Sequence, residues 1–142
     1  MFKLTTALNK RLISQGEEPT LLMAKDEPVT FSCTSTEPWY TCLWKRPNSE
    51  EPCGIFSEDP QKPCSSRWGT NTGKEWTLRQ TTPNTCTLEG VTDGMDGGQW
   101  NCELRSKPIP NGHYEDDQQF FHLELIQKAR KGYLRHLFVD RI

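Results

Sequence analysis

Apolar residues are scarce in this chain. Only 33% of its 142 residues are hydrophobic, and no run of them approaches the roughly 20 residues that a membrane-crossing helix needs; the longest useful one, Leu21 to Ala24, is far too short. A surplus of charge is missing too: 17 basic and 19 acidic residues give a net charge of -2. They are interspersed along the chain, which leaves no electrostatic footprint for nucleic acid or an anionic membrane. Lys3, Lys10 and Arg11 interrupt Met1 to Ile13, so no secretory signal core is visible, and the chain is expected to be a piece of a longer precursor. No Asn-x-Ser/Thr acceptor occurs, so glycosylation is not expected.

Catalytic and metal-binding patterns are also lacking. There is no C-x-x-C and no cysteine-histidine cluster at zinc spacing. His113, His122 and His136 fall in a loop, a strand and a tail, and none adjoins a serine or free cysteine as a nucleophile with its base would require. Glu115-Asp116-Asp117 lacks the spaced oxygen ligands of a calcium loop and is expected only to keep its hairpin wet. Neither an enzyme, a metal nor a cofactor is expected.

What the chain does have is an even set of six cysteines, at positions 33, 42, 53, 64, 86 and 102, all clear of both tails. Such a set points to a disulfide framework formed in an oxidising compartment. It also suits the length, which allows one domain of about 100 residues with a thin core in need of another stabiliser.

Residues 1–18 are expected to be a flexible leader, with a short amphipathic helix through Phe2, Leu4, Leu8, Leu12 and Ile13 as the alternative. Pro19 to Met23 suits an edge strand. In Val29 to Cys33 the residues Val29, Phe31 and Cys33 face one way and Thr30 and Ser32 the other, as a half-buried strand demands. Cys42 and Trp44 share a face in the next strand. Residues 47–75 are dense in turn formers, and a short hairpin stapled by Cys53 and Cys64 is expected there. Trp76 with Leu78, then Cys86 with Leu88, mark two more strands. The cleanest alternation sets Trp100, Cys102 and Leu104 against Asn101, Glu103 and Arg105. A polar hairpin loop, Lys107 to Asp117, leads to a last strand through Phe121, Leu123 and Leu125. The tail, residues 127–142, is basic, with apolar residues at near-helical spacing; a linker, a membrane-proximal segment and a surface helix all remain open for it.

The order Cys33, Trp44, then Trp100-x-Cys102 resembles the core signature of an immunoglobulin-like domain. Cys86-Thr87-Leu88-Glu89-Gly90-Val91 and Asp96-Gly97-Gly98-Gln99-Trp100-Asn101-Cys102 approach that family's motif over residues 19–126. Three departures stand out: Cys86 replaces a leucine, Trp100 replaces the corner tyrosine, and one extra residue lies between Val91 and Asp96. The added cysteines are similar to those of disulfide-rich Ig-like domains of invertebrate cell-surface or secreted recognition proteins.

The resemblance implies an all-β two-sheet antiparallel sandwich with a core of Trp44, Trp100, Phe31 and Leu88. Of the fifteen connectivities that six cysteines allow, it implies Cys33–Cys102 and a second inter-sheet bridge, Cys42–Cys86, with Cys53–Cys64 as the third. It further implies an extracellular or cell-surface module, such as part of an adhesion protein or receptor ectodomain, that binds a protein ligand or receptor, homophilic pairing included. A free-standing secreted effector or inhibitor is the alternative. Trp39, Tyr40, Trp68, His113 and Tyr114 are the candidate partner contacts, since interfaces favour large amphipathic aromatics; Trp39, Tyr40 and Trp68 are equally candidates to lid the core.

Overall fold

A computed structural model describes residues 3–6, 18–47, 49–65, 68 and 75–126. Ten strands run through them in the order β1 (Lys3–Thr6), β2 (Thr20–Ala24), β3 (Pro28–Thr34), β4 (Thr41–Lys45), β5 (Cys53–Phe56), β6 (Gln61–Pro63), β7 (Thr77–Thr82), β8 (Thr85–Val91), β9 (Gly98–Arg105) and β10 (Asp116–Ile126). No helix among the described residues is long and apolar enough to cross a membrane. The first sheet has the order β1-β3-β8-β7-β6 and the second β2-β10-β9-β4-β5.

Pairing is antiparallel throughout except between β2 and β10, which run parallel. Lys3–Thr6, placed by the sequence in a flexible leader, instead adds β1 to the edge of β3. Edge pairing uses backbone donors and acceptors and needs no alternating side chains, so it leaves little trace in a sequence. The basic tail, 127–142, lies outside the described residues.

Period-two patterning decides which faces meet. Val29, Phe31 and Cys33 of β3 are buried, as are Leu78 of β7, Cys86 and Leu88 of β8, Cys42 and Trp44 of β4, Trp100, Cys102 and Leu104 of β9, and Phe121 and Leu123 of β10. Phe31 lies at the centre, its ring 6.0 Å from Trp44, 5.3 Å from Trp100 and 5.2 Å from Phe121, separations at which aromatic pairs attract beyond their buried area. Gly90 is required by close approach: a Cβ there would sit 2.1 Å from the ring of Trp76, which lies across β8. Gly112, at φ +87°, provides the left-handed residue of the β9–β10 loop.

The structure joins Cys33 to Cys102, Cys42 to Cys86 and Cys53 to Cys64, with Cα separations of 6.8, 6.5 and 5.4 Å. Cys33 and Cys86 are cross-strand partners on the first sheet, and Trp44 is the partner of Cys102 on the second. The first two bridges therefore cross the sandwich side by side, next to Trp44.

The third bridge differs from the expected hairpin staple. Cys53 begins β5 in the second sheet, whereas Cys64 follows β6 in the first, so this disulfide also links the two sheets, along one open side. The short connection Ser57 to Pro60 changes sheets where a hairpin would stay in one. The turn chemistry of 57–60 is common to both arrangements, which is why the sequence did not separate them.

By chain entropy, closing loops of 69, 44 and 11 residues contributes about 4, 4 and 3 kcal/mol. Cys53→Ala with Cys64→Ala is expected to lower the unfolding free energy by about 3 kcal/mol while keeping the native near-UV circular dichroism, since two bridges still hold the sheets. Urea unfolding of the oxidised variant measures the loss, and an unchanged midpoint would contradict it.

Candidate functional site

The five aromatic and histidine candidates for partner contact separate by burial. Trp39 and Trp68 retain only 4% and 1% exposure and are core residues, which corrects their placement as contacts. Trp68 packs edge-on against Trp76 and Trp100 at ring separations of 6.0 and 6.3 Å and donates its Nε1–H to the Glu51 carbonyl at 2.9 Å. Its surrounding loop is polar, so only the tertiary fold reveals that the indole fills the end of the core. Trp39 lids the opposite end, the core alternative left open for it. Tyr40 is half-buried, edge-on to Phe56 at 5.5 Å with the Lys107 ammonium 5.7 Å from its ring. His113 is exposed, and Tyr114 is 46% exposed beneath the Arg105 guanidinium, 5.1 Å from its ring.

The two outer sheet faces differ in chemistry. On the first sheet, hydroxyls pair with one another: Ser32 with Thr87 at 3.0 Å, Thr34 with Thr85 at 3.1 Å, and Thr81 with Thr87 at 3.0 Å, beside the Arg79–Glu89 ion pair. Across the second sheet, the register sets out three rows. The first is Phe120, Asn101 and Lys45; the second is Gln118, Glu103, Leu43 and Gly54; the third is Asp116, Arg105, Thr41 and Phe56. Phe120 and Phe56, 41% and 54% exposed, stand at opposite corners. Beside Phe120, a groove of about 360 Å³ is lined by Lys45, Arg46, Pro47, Gln99 and Asn101.

Sequence alternation missed both phenylalanines, yet Phe120-Phe121 and Ile55-Phe56 are adjacent apolar pairs, and in a strand one member of each must face outward. It likewise assigned Asn101 and Glu103 correctly to the outer face but gave no sign that they are buried there, at 6% and 4% exposure. Asn101 Nδ2 donates to Gln118 Oε1 at 3.2 Å, and Arg105 Nη2 donates to Glu103 Oε1 at 3.0 Å.

Glu103 sets the electrostatics of the middle of the face. Burial pushes its carboxyl up, but a hydrogen bond from Asp116, the Arg105 guanidinium and the Lys45 charge outweigh burial and hold it below its ordinary value. Asp116 shifts the other way, raised by its own desolvation and then by its hydrogen bond to Glu103 and the charge of that neighbour. Two carboxyls in contact cannot ionise independently, and of the two Glu103 is the one that gives up its proton first.

No family model matches the chain, and no curated protein matches it in sequence. In shape, it is similar to murine CRIg: the TM-score is 0.54 at 13% identity, over 89% of this chain and 99% of that one. The chain has an immunoglobulin-like fold. A chain from a structure concerning T cell specificity and activation by the bacterial superantigen toxic shock syndrome toxin-1 aligns at 14% identity, TM-score 0.48, over 89% and 100% of the two chains; at that score it adds nothing to the assignment. At these identities the likeness concerns fold alone.

Within this immunoglobulin-like frame the corner residue is replaced but its hydrogen bond is kept. Trp100 is fully buried and donates Nε1–H to the Asp96 carbonyl at 2.9 Å, the role a corner tyrosine's hydroxyl plays toward backbone a few residues upstream. The Asp96 side chain accepts from the Asp93 N–H at 2.8 Å and lies 3.5 Å from Arg46, whose guanidinium covers Trp68 at 4.9 Å from its ring. Indole, carboxylate and guanidinium thus close one end of the core together.

Trp100→Phe removes the indole donor and leaves the Asp96 carbonyl without it, an expected cost of at least about 1–3 kcal/mol; Trp100→Tyr, with a hydroxyl to offer, is expected to cost less. Denaturant unfolding of the two variants decides the order. Burial raises the Asp96 carboxyl above its ordinary 3.8, against the Asp93 N–H and Arg46, which lower it. A carboxyl that holds its proton more tightly when folded loses stability on ionising, so stability from this group falls as pH rises from 3.8 through the raised value. Urea midpoints of wild type and Asp96→Asn across that window are expected to converge or cross as pH rises, the wild type losing ground; a wild type that gains ground would show that Arg46 governs the site.

Proposed function

We propose that this domain is an extracellular recognition module that binds a protein partner through the outer face of the second sheet. The observation that carries this reading is the contrast between the faces. Paired hydroxyls satisfy one another on the first sheet, whereas the second holds Phe56 and Phe120 exposed around a hydrogen-bonded polar centre. Exposed aromatics around a structured polar centre match the composition of protein interfaces, where a few such anchors carry most of the binding energy.

Three disulfides support an oxidising compartment. The immunoglobulin-like fold supports a binding role as a class, while the partner follows from the surface and not from the fold. Adhesion between cells, by a second copy or by another protein, is one setting for such a face.

The test is to immobilise the oxidised domain and measure its binding to a panel of cell-surface and secreted ectodomains that includes the domain itself. For any partner found, Phe56→Ser with Phe120→Ser is expected to weaken binding about tenfold or more, on the scale of hot-spot residues. Thr81→Lys, on the opposite face, is expected to leave it unchanged. A partner sensitive to Thr81→Lys and indifferent to the paired phenylalanine change would place recognition on the first sheet and overturn the proposal.

A further inference from the structure

The outer face of the second sheet is laid out so that it complements itself. The cross-strand rows put Phe120 and Phe56 at opposite corners, with Lys45 and Asp116 on either side of the diagonal that joins them. All four side chains are exposed. From strand spacing and rise per residue, Phe56 lies about 14 Å from Phe120 across the strands and about 14 Å along them, so the diagonal runs at roughly 45° to the strands.

Two copies of one face meet isologously when a two-fold axis lies in the plane between them. Residues on the axis then meet their own copies, and residues on either side of it exchange places. The axis therefore suits aromatic rings and not charges, whereas off the axis a cation must find an anion at its exchanged position. An axis along the Phe120–Phe56 diagonal meets both conditions. Each phenylalanine meets its own copy at one end, and Lys45 comes within a side chain's reach of Asp116 of the second copy, with the reverse contact beside it. Asn101 comes over Gln118 of the second copy, and each of these amides can both give and accept a hydrogen bond. Glu103 lies near the axis, but it is 4% exposed and its carboxylate is held by Arg105 Nη2, so it brings little charge to the centre. The strands of the two copies then cross at about 90°, the orthogonal class of sheet packing.

The two exchanged charges are also the ones short of compensation within a single copy. Lys45 has no ion pair among the described residues. Asp116 stands beside Glu103, and its own desolvation and that neighbour hold its carboxyl above the ordinary value. We infer that the partner of this face is a second copy of the same chain, docked about a two-fold axis along the Phe120–Phe56 diagonal, with Lys45 of each copy paired to Asp116 of the other. This rests on the recognition reading above and names its partner. With a rim of side chains the patch covers roughly 500 Å² on each copy, at the small end of specific interfaces, so the dimer is weak and reversible.

The test is sedimentation equilibrium of the whole oxidised chain from about 1 micromolar to about 1 millimolar, across which the mass is expected to rise from the monomer toward twice that value. Lys45→Glu alone and Asp116→Lys alone each set like charges against one another at both exchanged positions, and each is expected to weaken self-association about tenfold or more. An equimolar mixture of these two variants rebuilds both pairs with their signs reversed and should return association to within about threefold of wild type. That recovery is one that misfolded variants could not give. Thr81→Lys, on the first sheet, should change nothing.

A chain that stays monomeric, a dimer indifferent to both charge changes, or a mixture that associates no better than its components overturns the inference. A foreign ectodomain that binds a monomeric chain through Phe56 and Phe120 removes this inference alone and leaves the recognition face. Association, with a second copy or a foreign protein, that ignores Phe56→Ser with Phe120→Ser removes the reading on which the inference rests.

Discussion

Two disulfides lying side by side across the sandwich are the constraint on which the rest of this structure depends. Cys33 and Cys86 occupy directly opposed positions on neighbouring strands of the first sheet, and their partners Cys102 and Cys42 lie on neighbouring strands of the second. With the sheets held at the middle, few apolar residues are needed to keep them together, which matches the chain's modest apolar content. The aromatic layer then packs outward from this point: Trp44 beside the bridge, Phe31 against Trp44, and Trp100 and Phe121 around Phe31.

At one end the packing ends in a closure built from unlike groups. Trp68, Trp76 and Trp100 meet edge to face or tilted, and Arg46 covers Trp68 while reaching Asp96. Each member limits another. The Trp100 indole fixes the Asp96 backbone, the Asp96 side chain holds the turn from Asp93, and the guanidinium offsets only part of the cost that burial puts on the carboxylate. A buried charge paired in this way is weak evidence for added stability, but removing one partner leaves the other stranded. Its physical role is to let a loop of polar composition supply a tryptophan to the core.

Much of the architecture was legible because period-two alternation and cysteine placement are local signals. Val29, Phe31 and Cys33, or Trp100, Cys102 and Leu104, announce their inward face directly, and the immunoglobulin-like resemblance then orders the strands. The strand at Lys3–Thr6, the crossing of residues 57–60 between sheets and the burial of Trp68 and Trp39 were not legible. Each depends on which elements become neighbours in space, a quantity that composition within a short window does not carry. The outer face proposed for recognition was legible only in retrospect. Phe120-Phe121 and Ile55-Phe56 each break the alternation, and an apolar doublet in a strand commits one residue to the outside.

The third disulfide connects stability to the face proposed for recognition. β5 lies at the edge of the second sheet, where a strand of four residues paired on one side would fray, because short edge strands have few bonds to hold them. Cys53 begins that strand and Phe56 ends it, so tying Cys53 to Cys64 on the other sheet fixes the element that presents the aromatic anchor. An anchor already ordered before contact loses less conformational entropy on binding than one on a free edge. Beside this bridge Leu43 of β4 lies over its partner Gly54, where a Cβ would meet the Leu43 Cδ2 atom at 2.5 Å. The chemistry that stabilises a thin core thus also ties down the edge strand that presents Phe56.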